Sequence, residues 1–327
     1  MMASVAASLA PPPPSPPSTA TVAALPSLTG SIDYPYRVIG RARLVFFSVS
    51  DDDVGGARLT WRRDGDSESV RMLVGSEPGR APRALNEWAY TAEETNGDRA
   101  DVFVLRSLIA EDKDGQPVRT LPRADGGGQY RASCSSASAA MVQTFTTTVA
   151  TDGKIDYRSI GHVLDRIGSH SAWKPTDLSR PTDAAPGFLT AISTMLRRSV
   201  QASASGTKQP AAVAYVYNGT VYDLQLRRVQ HDRNVTIRNT TYPDLLKGQF
   251  ISVRRRDGDQ TPFIVSYFAD GPRAGVPVVI AFRASWWLSL ELQLDDRYDV
   301  PADPSADPVL SSKIRSICAQ AWTRASR

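Results

Sequence analysis

The sequence predicts a mainly β protein of α+β character, in which antiparallel meanders form a curved sheet, a half-open barrel or a sandwich. Three observations support this fold class. Residues 248–294 read as four consecutive strands, the last of which places Leu288, Leu290, Leu292 and Leu294 on one face. Asp-Gly and Asn-Gly dipeptides, which supply the positive φ angles of tight hairpins, occur eight times along the chain. Helical periodicity is confined to two patterns in the middle of the chain and one at its end.

Composition and charge narrow the class of protein. With 327 residues, of which 41% are hydrophobic and 22% charged, the chain has the balance of a soluble globular protein with ample material for a core. The net charge of +4 is small and no predicted surface concentrates the basic residues, so we expect no binding to nucleic acid. No apolar run approaches the roughly 20 residues of a membrane-spanning helix, so we predict no membrane span. The oligomeric state stays open.

Four segments follow from the distribution of proline, turn residues and periodicity. We predict a disordered proline-rich segment at 1–31, an antiparallel β module at 32–150, a helical insert at 151–209, and a β meander with a closing helix at 210–327. The sequence leaves open whether the two β modules form one sheet or two.

The first β module and the start of the insert have clear local patterns. Strands are predicted at 36–50, 58–63, 69–74, 88–95, 101–109 and 143–150. Asp156 can then cap a short helix, which Gly168 ends. The apolar residues of this helix recur at i, i+3, i+4 and i+7, at Ile160, Val163, Leu164 and Ile167.

The second half of the insert and the last segment follow the same logic. Residues 169–185 read as a loop, and 188–200 as a second amphipathic helix with Arg197 and Arg198 near its C-terminal end. Alternating apolar residues on both sides of Asn218-Gly219 predict a two-residue hairpin. After the four-stranded meander, Asp307 and Pro308 form the N-cap and first residue of a closing helix.

The N-terminus and the two cysteines bear on the compartment. Ser8-Leu9-Ala10 matches the small-x-small end of a secretory signal, so we interpret the first residues as the remnant of a signal that starts upstream. The excess of arginine over lysine indicates a GC-rich genome, and together with the proline-rich linker it is typical of a bacterium. With the signal remnant, these features predict a periplasmic or extracellular protein. A cytoplasmic location stays open. Cys134 and Cys318 permit one disulfide, and the alternative for Cys318 is a buried thiol on the closing helix.

The search for catalytic chemistry assigns no catalytic residue. His162, His170 and His231 lack the spacing to Cys, Asp or Glu that zinc ligands show, so no metal site is predicted. No glycine loop of the phosphate-binding kind appears, and no cofactor is expected. A hydrolase could still assemble Ser, His and Asp from distant positions, with His170 as the candidate base.

The aromatic side chains of the C-terminal sheet are the candidate binding surface. Packed against helices they would form a core, and lining a cavity they would contact an apolar ligand. Trp286 and Trp287 have opposite parity, so one of them would point away from the core and mark a contact surface or a bend. The candidate ligand-binding residues are Tyr215, Tyr217, Tyr222, Phe263, Tyr267, Phe282, Trp286 and Trp287.

Three strand patterns in the last third of the chain resemble those of a known class of proteins. They are Phe263-x-Val265-x-Tyr267, Val276-Pro277-Val278-x-Ile280-x-Phe282 and Glu291-Leu292-x-Leu294. These patterns resemble the closing strands of bacterial envelope proteins of unknown function, which are similar to curved half-open barrels of the lipoprotein-carrier or lipocalin kind. The resemblance implies export and an apolar ligand, and it carries over no catalytic residue.

Three functional hypotheses follow. The favoured one is a non-enzymatic exported protein whose curved sheet and helical insert enclose an apolar small molecule, a lipid or a partner segment. The second is a hydrolase with a dispersed triad. The third is a structural or interaction module of the cell envelope that uses the outer sheet face near Trp286 or Trp287.

Overall fold

The computed structural model describes residues 30–44, 47–81, 84, 86–97, 99–108, 127–138, 141–169, 172–179, 184–283 and 288–325. The predictions made for the proline-rich segment before Gly30, for His170 and for Trp286 and Trp287 lie outside these residues.

Sixteen strands run through the described residues. They are β1 (Gly30–Leu44), β2 (Phe47–Asp64), β3 (Ser67–Ser76), β4 (Trp88–Asn96), β5 (Arg99–Ser107), β6 (Gly128–Ala137), β7 (Met141–Thr151), β8 (Lys174–Ser179), β9 (Ala212–Tyr217), β10 (Thr220–Asp232), β11 (Val235–Ile237), β12 (Thr240–Tyr242), β13 (Leu245–Arg254), β14 (Gln260–Phe268), β15 (Pro277–Arg283) and β16 (Leu288–Leu294). The helices in the same residues are α1 (Ile160–Ser169), α2 (Phe188–Ser205) and α3 (Pro308–Ala325).

Fourteen of these strands form one antiparallel sheet. Its order is β8-β7-β6-β5-β4-β3-β2-β1-β16-β15-β14-β13-β10-β9, while β11 and β12 form a separate small hairpin. Strand β1 pairs with both β2 and β16, so the N-terminal and C-terminal β modules share a single sheet. The predicted fold class, mainly β and antiparallel with a helical insert and a C-terminal helix, is confirmed, and the sheet is not closed into a barrel.

Hairpin turns lie at most of the predicted dipeptides that the structure describes, whereas Asp152-Gly153 follows β7 and joins no second strand. Between β9 and β10, Asn218 has φ 48° and Gly219 has φ 68°, which is the geometry of a tight turn with two left-handed residues. Gly65 between β2 and β3 and Gly258 between β13 and β14 also have positive φ, at 55° and 74°. Glycine avoids the steric penalty that a Cβ atom would incur at such angles.

One face of the sheet continues across all fourteen strands, and we call it the concave face. Cross-strand partners share a face, so the row formed by Ile32, Trp61, Val70 and Glu93 places part of β1–β4 on it. Val38 has the same parity as Ile32 on β1 and lies opposite Leu292 of β16, which extends the face into the C-terminal strands.

The sheet rolls inward at its β9 edge. Val216 of β9 packs against Ala137 and Val142, which lie on the concave face of β6 and β7. The Ser133 hydroxyl also donates a hydrogen bond of 2.8 Å to Asn218 Oδ1 in the β9–β10 turn. The terminal hairpin therefore lies over the concave face of the opposite end. Side-chain contacts hold it there, and Ala185, just before α2, forms backbone hydrogen bonds with Ala214 and Val216 of β9.

Helices α1 and α3 cover the opposite, convex face of the N-terminal strands. The residues of α1 that are buried are the four that its periodicity predicts, Ile160, Val163, Leu164 and Ile167. Helix α3 begins as predicted, with Asp307 Oδ1 accepting a hydrogen bond of 2.8 Å from the backbone N–H of Val309. Both helices pack on the convex-face side chains Tyr90, Phe103, Tyr130 and Val149.

Three local predictions were wrong. The stretch 36–50, predicted as a single strand, contains the end of β1 and the start of β2, which pair with each other as a hairpin. The stretch 169–185, predicted to be a loop, contains β8, which forms because β7 offers an unpaired edge and not because of a local pattern. Helix α2 continues to Ser205 and ends at Gly206, whose φ of 66° gives the left-handed C-terminal cap. Arg197 therefore lies inside α2, where it makes a tertiary contact described below.

Candidate functional site

Helix α2 lies on the concave face and covers much of it. Its buried residues Ala191, Met195 and Leu196 pack against apolar side chains of β9, β10, β13 and β14. Those side chains are Val213, Tyr215, Leu224, Leu226, Leu246, Phe250, Val265 and Tyr267. Leu189, near the start of α2, instead packs against Trp61 and Val70 on the other half of the sheet. The rolled sheet thus encloses α2 from two sides.

A buried carboxylate fixes the first turn of α2. Glu93 of β4 is 1% exposed, and its two oxygens accept hydrogen bonds of 2.8 Å each from the backbone N–H groups of Leu189 and Thr190. Burial raises the pKa of the Glu93 carboxyl, and the hydrogen bonds from α2 lower it by less. Gly187 precedes the helix because a Cβ atom there would lie 2.3 Å from Glu93 Oε1.

A second carboxylate holds the middle of α2. Arg197 donates from its guanidinium to Glu68 Oε1 of β3 at 2.9 Å, and the Trp61 indole N–H donates to the same oxygen at 2.7 Å. Further along, the Ser199 hydroxyl lies 2.7 Å from the Tyr267 hydroxyl, and both residues are buried. Polar contacts to the sheet therefore occur near the start, in the middle and in the second half of the helix.

The structure brings four of the candidate aromatic residues together under α2. The rings of Tyr215 and Tyr222 stack with centroids 5.2 Å apart, and the Tyr215 hydroxyl lies 2.6 Å from Ser252 Oγ. Phe263 packs edge-on against Phe188, the first residue of α2, with centroids 5.8 Å apart. Tyr267, fully buried, makes the contact to Ser199 given above.

The other candidates occupy different places. Phe282 lies opposite Phe263 in the neighbouring strand and is partly buried. Tyr217 ends β9, beside the turn that reaches β6, and is also partly buried. In this conformation, α2 covers part of the aromatic surface that the sequence predicts as a pocket lining, while Phe263 and Phe282 also line an open groove of about 590 Å³.

Sequence reasoning missed Glu68, Glu93 and Arg197 as the residues that attach α2. A signal for Glu93 exists, because the consecutive pair Glu93-Glu94 inside a strand must place one carboxylate on each face. Only the structure tells which of the two is buried.

A small apolar cavity remains where α2 meets β1–β3. Its volume is about 80 Å³, and its walls include Ile32, Leu59, Leu189, Leu196 and Val276. This volume is below the roughly 300 Å³ of a typical small-molecule pocket. A ligand larger than a few atoms would have to displace part of α2.

A disulfide joins the convex face to the closing helix. Cys134 of β6 and Cys318 of α3 are bonded, with their Cα atoms 5.5 Å apart. Cys134 is 1% exposed, so α3 is covalently fixed over the strands that α1 also covers. The residues between the two cysteines include most of the sheet and α2.

The histidines provide little chemistry in the described part of the chain. His231 Nδ1 lies 2.9 Å from Asp244 Oδ1, and both side chains are about half exposed. Within the residues that the structure describes, no group of three or more His, Cys, Asp or Glu side chains could hold a metal ion. None of the described helices is long and apolar enough to cross a membrane. The dispersed triad stays a prediction, because His170 is not among the described residues.

No family model, curated protein or solved structure matches this chain.

Proposed function

We propose that this protein is an exported, non-enzymatic binding protein, in which α2 occupies the concave face of the sheet and yields it to an apolar ligand or partner segment. The observation that carries the proposal is the apolar concave face itself, which lies against a single helix, α2, over much of its surface. The small apolar cavity between α2 and β1–β3 is where a ligand would begin to enter. The proposed ligand is apolar, as the resemblance to envelope proteins implies.

The attachment of α2 supports a displaceable helix. Beyond apolar packing, it rests on Glu93, on the Glu68–Arg197 ion pair and on Ser199, which are separate polar contacts. An apolar ligand would replace the side chains of α2 on the sheet and recover the same type of burial. The helix would lose its polar contacts to the sheet, and these set the free-energy difference between the closed and the open state.

The disulfide supports export. Disulfides persist in the periplasm and outside the cell and are rare in a reducing cytosol. The bond between Cys134 and Cys318 therefore favours the periplasmic or extracellular location over the cytoplasmic alternative. Fractionation of the native host, with mass spectrometry of the N-terminus, tests this part. A cytoplasmic protein that begins at Met1 would contradict export.

Neighbouring arginines of α2 offer a matched test of ligand binding. Arg197→Ala removes the ion pair to Glu68, whereas Arg198→Ala changes an exposed residue of the same helix. We expect Arg197→Ala to increase the uptake of N-phenyl-1-naphthylamine, an uncharged apolar dye, and Arg198→Ala to leave it at the wild-type level. If Arg197→Ala lowers the melting temperature without any dye uptake, α2 is a permanent part of the core and the proposal fails.

A further inference from the structure

Two arginines face each other on the concave side of the sheet, near one end of the strands. Arg106 of β5 and Arg131 of β6 are direct cross-strand partners, so their Cβ atoms lie roughly 5 Å apart. Their register with Ala89 of β4 and Thr148 of β7 places them on the face that also carries Glu93. Both side chains are partly buried.

This pair lacks the partners that buried charges normally have. Arg106 Nε is buried and has no hydrogen-bond partner, and within the described residues neither guanidinium forms an ion pair. Burial, followed by the charge of Arg106, lowers the pKa of Arg131. Guanidinium groups nevertheless remain charged in proteins. Like charges directly opposite each other destabilise a sheet, and partly buried charges add a desolvation penalty.

Among the described residues, the other charged groups on this face do not neutralise the pair. Glu93 lies four residues beyond Ala89 on β4, about 13 Å along the strand, and its oxygens bind the amides of α2. Lys174 of β8 pairs with Thr146, and by register it adds a third cation to the same face. Tyr217 lies near the pair and would carry a negative charge if it were ionised. Its hydroxyl is neutral because burial raises its pKa.

We propose that Arg106 and Arg131 bind the anionic group of an amphiphilic ligand, whose apolar part lies on the concave face. The inference rests on the proposed function, since it names the class of ligand that the face takes, an acyl chain or similar body with a carboxylate or phosphate head. An oxyanion between two guanidinium groups would accept charge-assisted hydrogen bonds and remove their mutual repulsion. The same two residues therefore act against the stability of the unliganded protein.

The probe is dodecanoate below its micelle concentration, compared with dodecyl maltoside, acetate and inorganic phosphate. We expect the wild-type protein to bind dodecanoate at least tenfold more tightly than either small anion, with an affinity that falls as salt rises. Arg131→Gln and Arg106→Gln should each weaken dodecanoate binding about tenfold or more and leave uptake of the uncharged dye unchanged. Arg99→Gln, an exposed residue on the convex face of the same strand as Arg106, is the matched control and should bind like the wild type.

The melting temperature of Arg131→Gln provides a second measurement. If Arg131 had only a structural role, its substitution would not raise the melting temperature and weaken dodecanoate binding at the same time. Because the unliganded pair is repulsive, we expect Arg131→Gln to raise the melting temperature while it weakens dodecanoate binding. Dodecanoate affinity unchanged in Arg131→Gln would overturn the anion site. Equal affinity for dodecanoate and phosphate would overturn the proposal that the ligand is amphiphilic, because the site would then bind a free anion. Phosphate binding that depends on Arg131, in a protein that takes up no uncharged dye even when Arg197 is removed, would refute the proposed function and leave the anion site standing.

Discussion

Glu93 Oε1, on strand β4, accepts a hydrogen bond of 2.8 Å from the backbone N–H of Leu189, in the first turn of α2. The residue at the helix N-cap is Gly187, which has no side chain to cap the helix. A carboxylate that is 96 residues distant in sequence therefore does what a local Ser, Asp or Asn does in most helices. The position of α2 on the concave face and the satisfaction of its first amides depend on the same side chain.

Removing this carboxylate should loosen α2. Glu93→Ala leaves one buried and one partly buried N–H group without partners and opens a void, so we expect a loss of about 2–4 kcal/mol in the free energy of unfolding. Asp101→Asn, which breaks an exposed ion pair on the adjacent strand, should change it by less than about 1 kcal/mol. Urea denaturation of both variants measures the difference. Equal losses in the two variants would mean that the hydrogen bonds between Glu93 and α2 do not stabilise the protein.

The ionisation of Glu93 should also appear in the pH dependence of stability. The folded-state pKa lies above the ordinary value of 4.5, because burial disfavours the charged form more than the hydrogen bonds favour it. The folded state then binds the proton more tightly than the unfolded state, so this contribution is present below pH 4.5 and is lost as pH rises through the folded-state pKa. Tyr215 and Tyr217, which face Glu93, stay neutral in this range because burial raises their pKa values.

Comparison with Glu93→Gln isolates this effect. The free energy of unfolding of the wild type, minus that of the variant, should decrease as pH rises above about 4.5. Denaturation curves at half-unit intervals of pH measure it. A difference that rises with pH would show that the α2 amides dominate and that the pKa of Glu93 is depressed.

The disulfide should contribute substantially to stability. Cys134 and Cys318 are separated by 184 positions, and the chain-entropy model for so long a loop gives a stabilisation of about 5 kcal/mol. Measured values are usually lower, so we expect Cys134→Ser/Cys318→Ser to lose about 2–5 kcal/mol. The non-reduced wild-type protein should contain no free thiol. Two titratable thiols in protein purified from its host would contradict both this prediction and the argument for export.

Substitution of two residues on the concave face distinguishes a packed core from a binding surface. Leu292 is 0% exposed and packs among the apolar residues of β1, β15 and β16, so Leu292→Ala should lose about 2–5 kcal/mol. Tyr222 is partly buried and stacks on Tyr215. We expect Tyr222→Ala to lose less stability than Leu292→Ala and to abolish uptake of the uncharged dye. A protein that unfolds as readily with either change, and takes up no dye in its native form, would place these aromatics in the core.

Local patterns in the sequence are sufficient to predict several elements of the fold. Alternating leucines specify β16, the spacing of Ile160, Val163, Leu164 and Ile167 specifies α1, and Asn218-Gly219 specifies a hairpin turn. These signals reside within a few residues of one another, because periodicity, capping and positive φ are properties of short segments.

How these elements combine depends on contacts between distant parts of the chain. The pairing of β1 with β16 joins the two β modules, and β8 exists because β7 has a free edge. The same applies to the position of α2, which depends on Glu93 and Glu68, and to the facing pair Arg106 and Arg131. Strand order and register are set by contacts between residues far apart in the chain, and these depend on how the whole set of faces is buried, which no local pattern encodes.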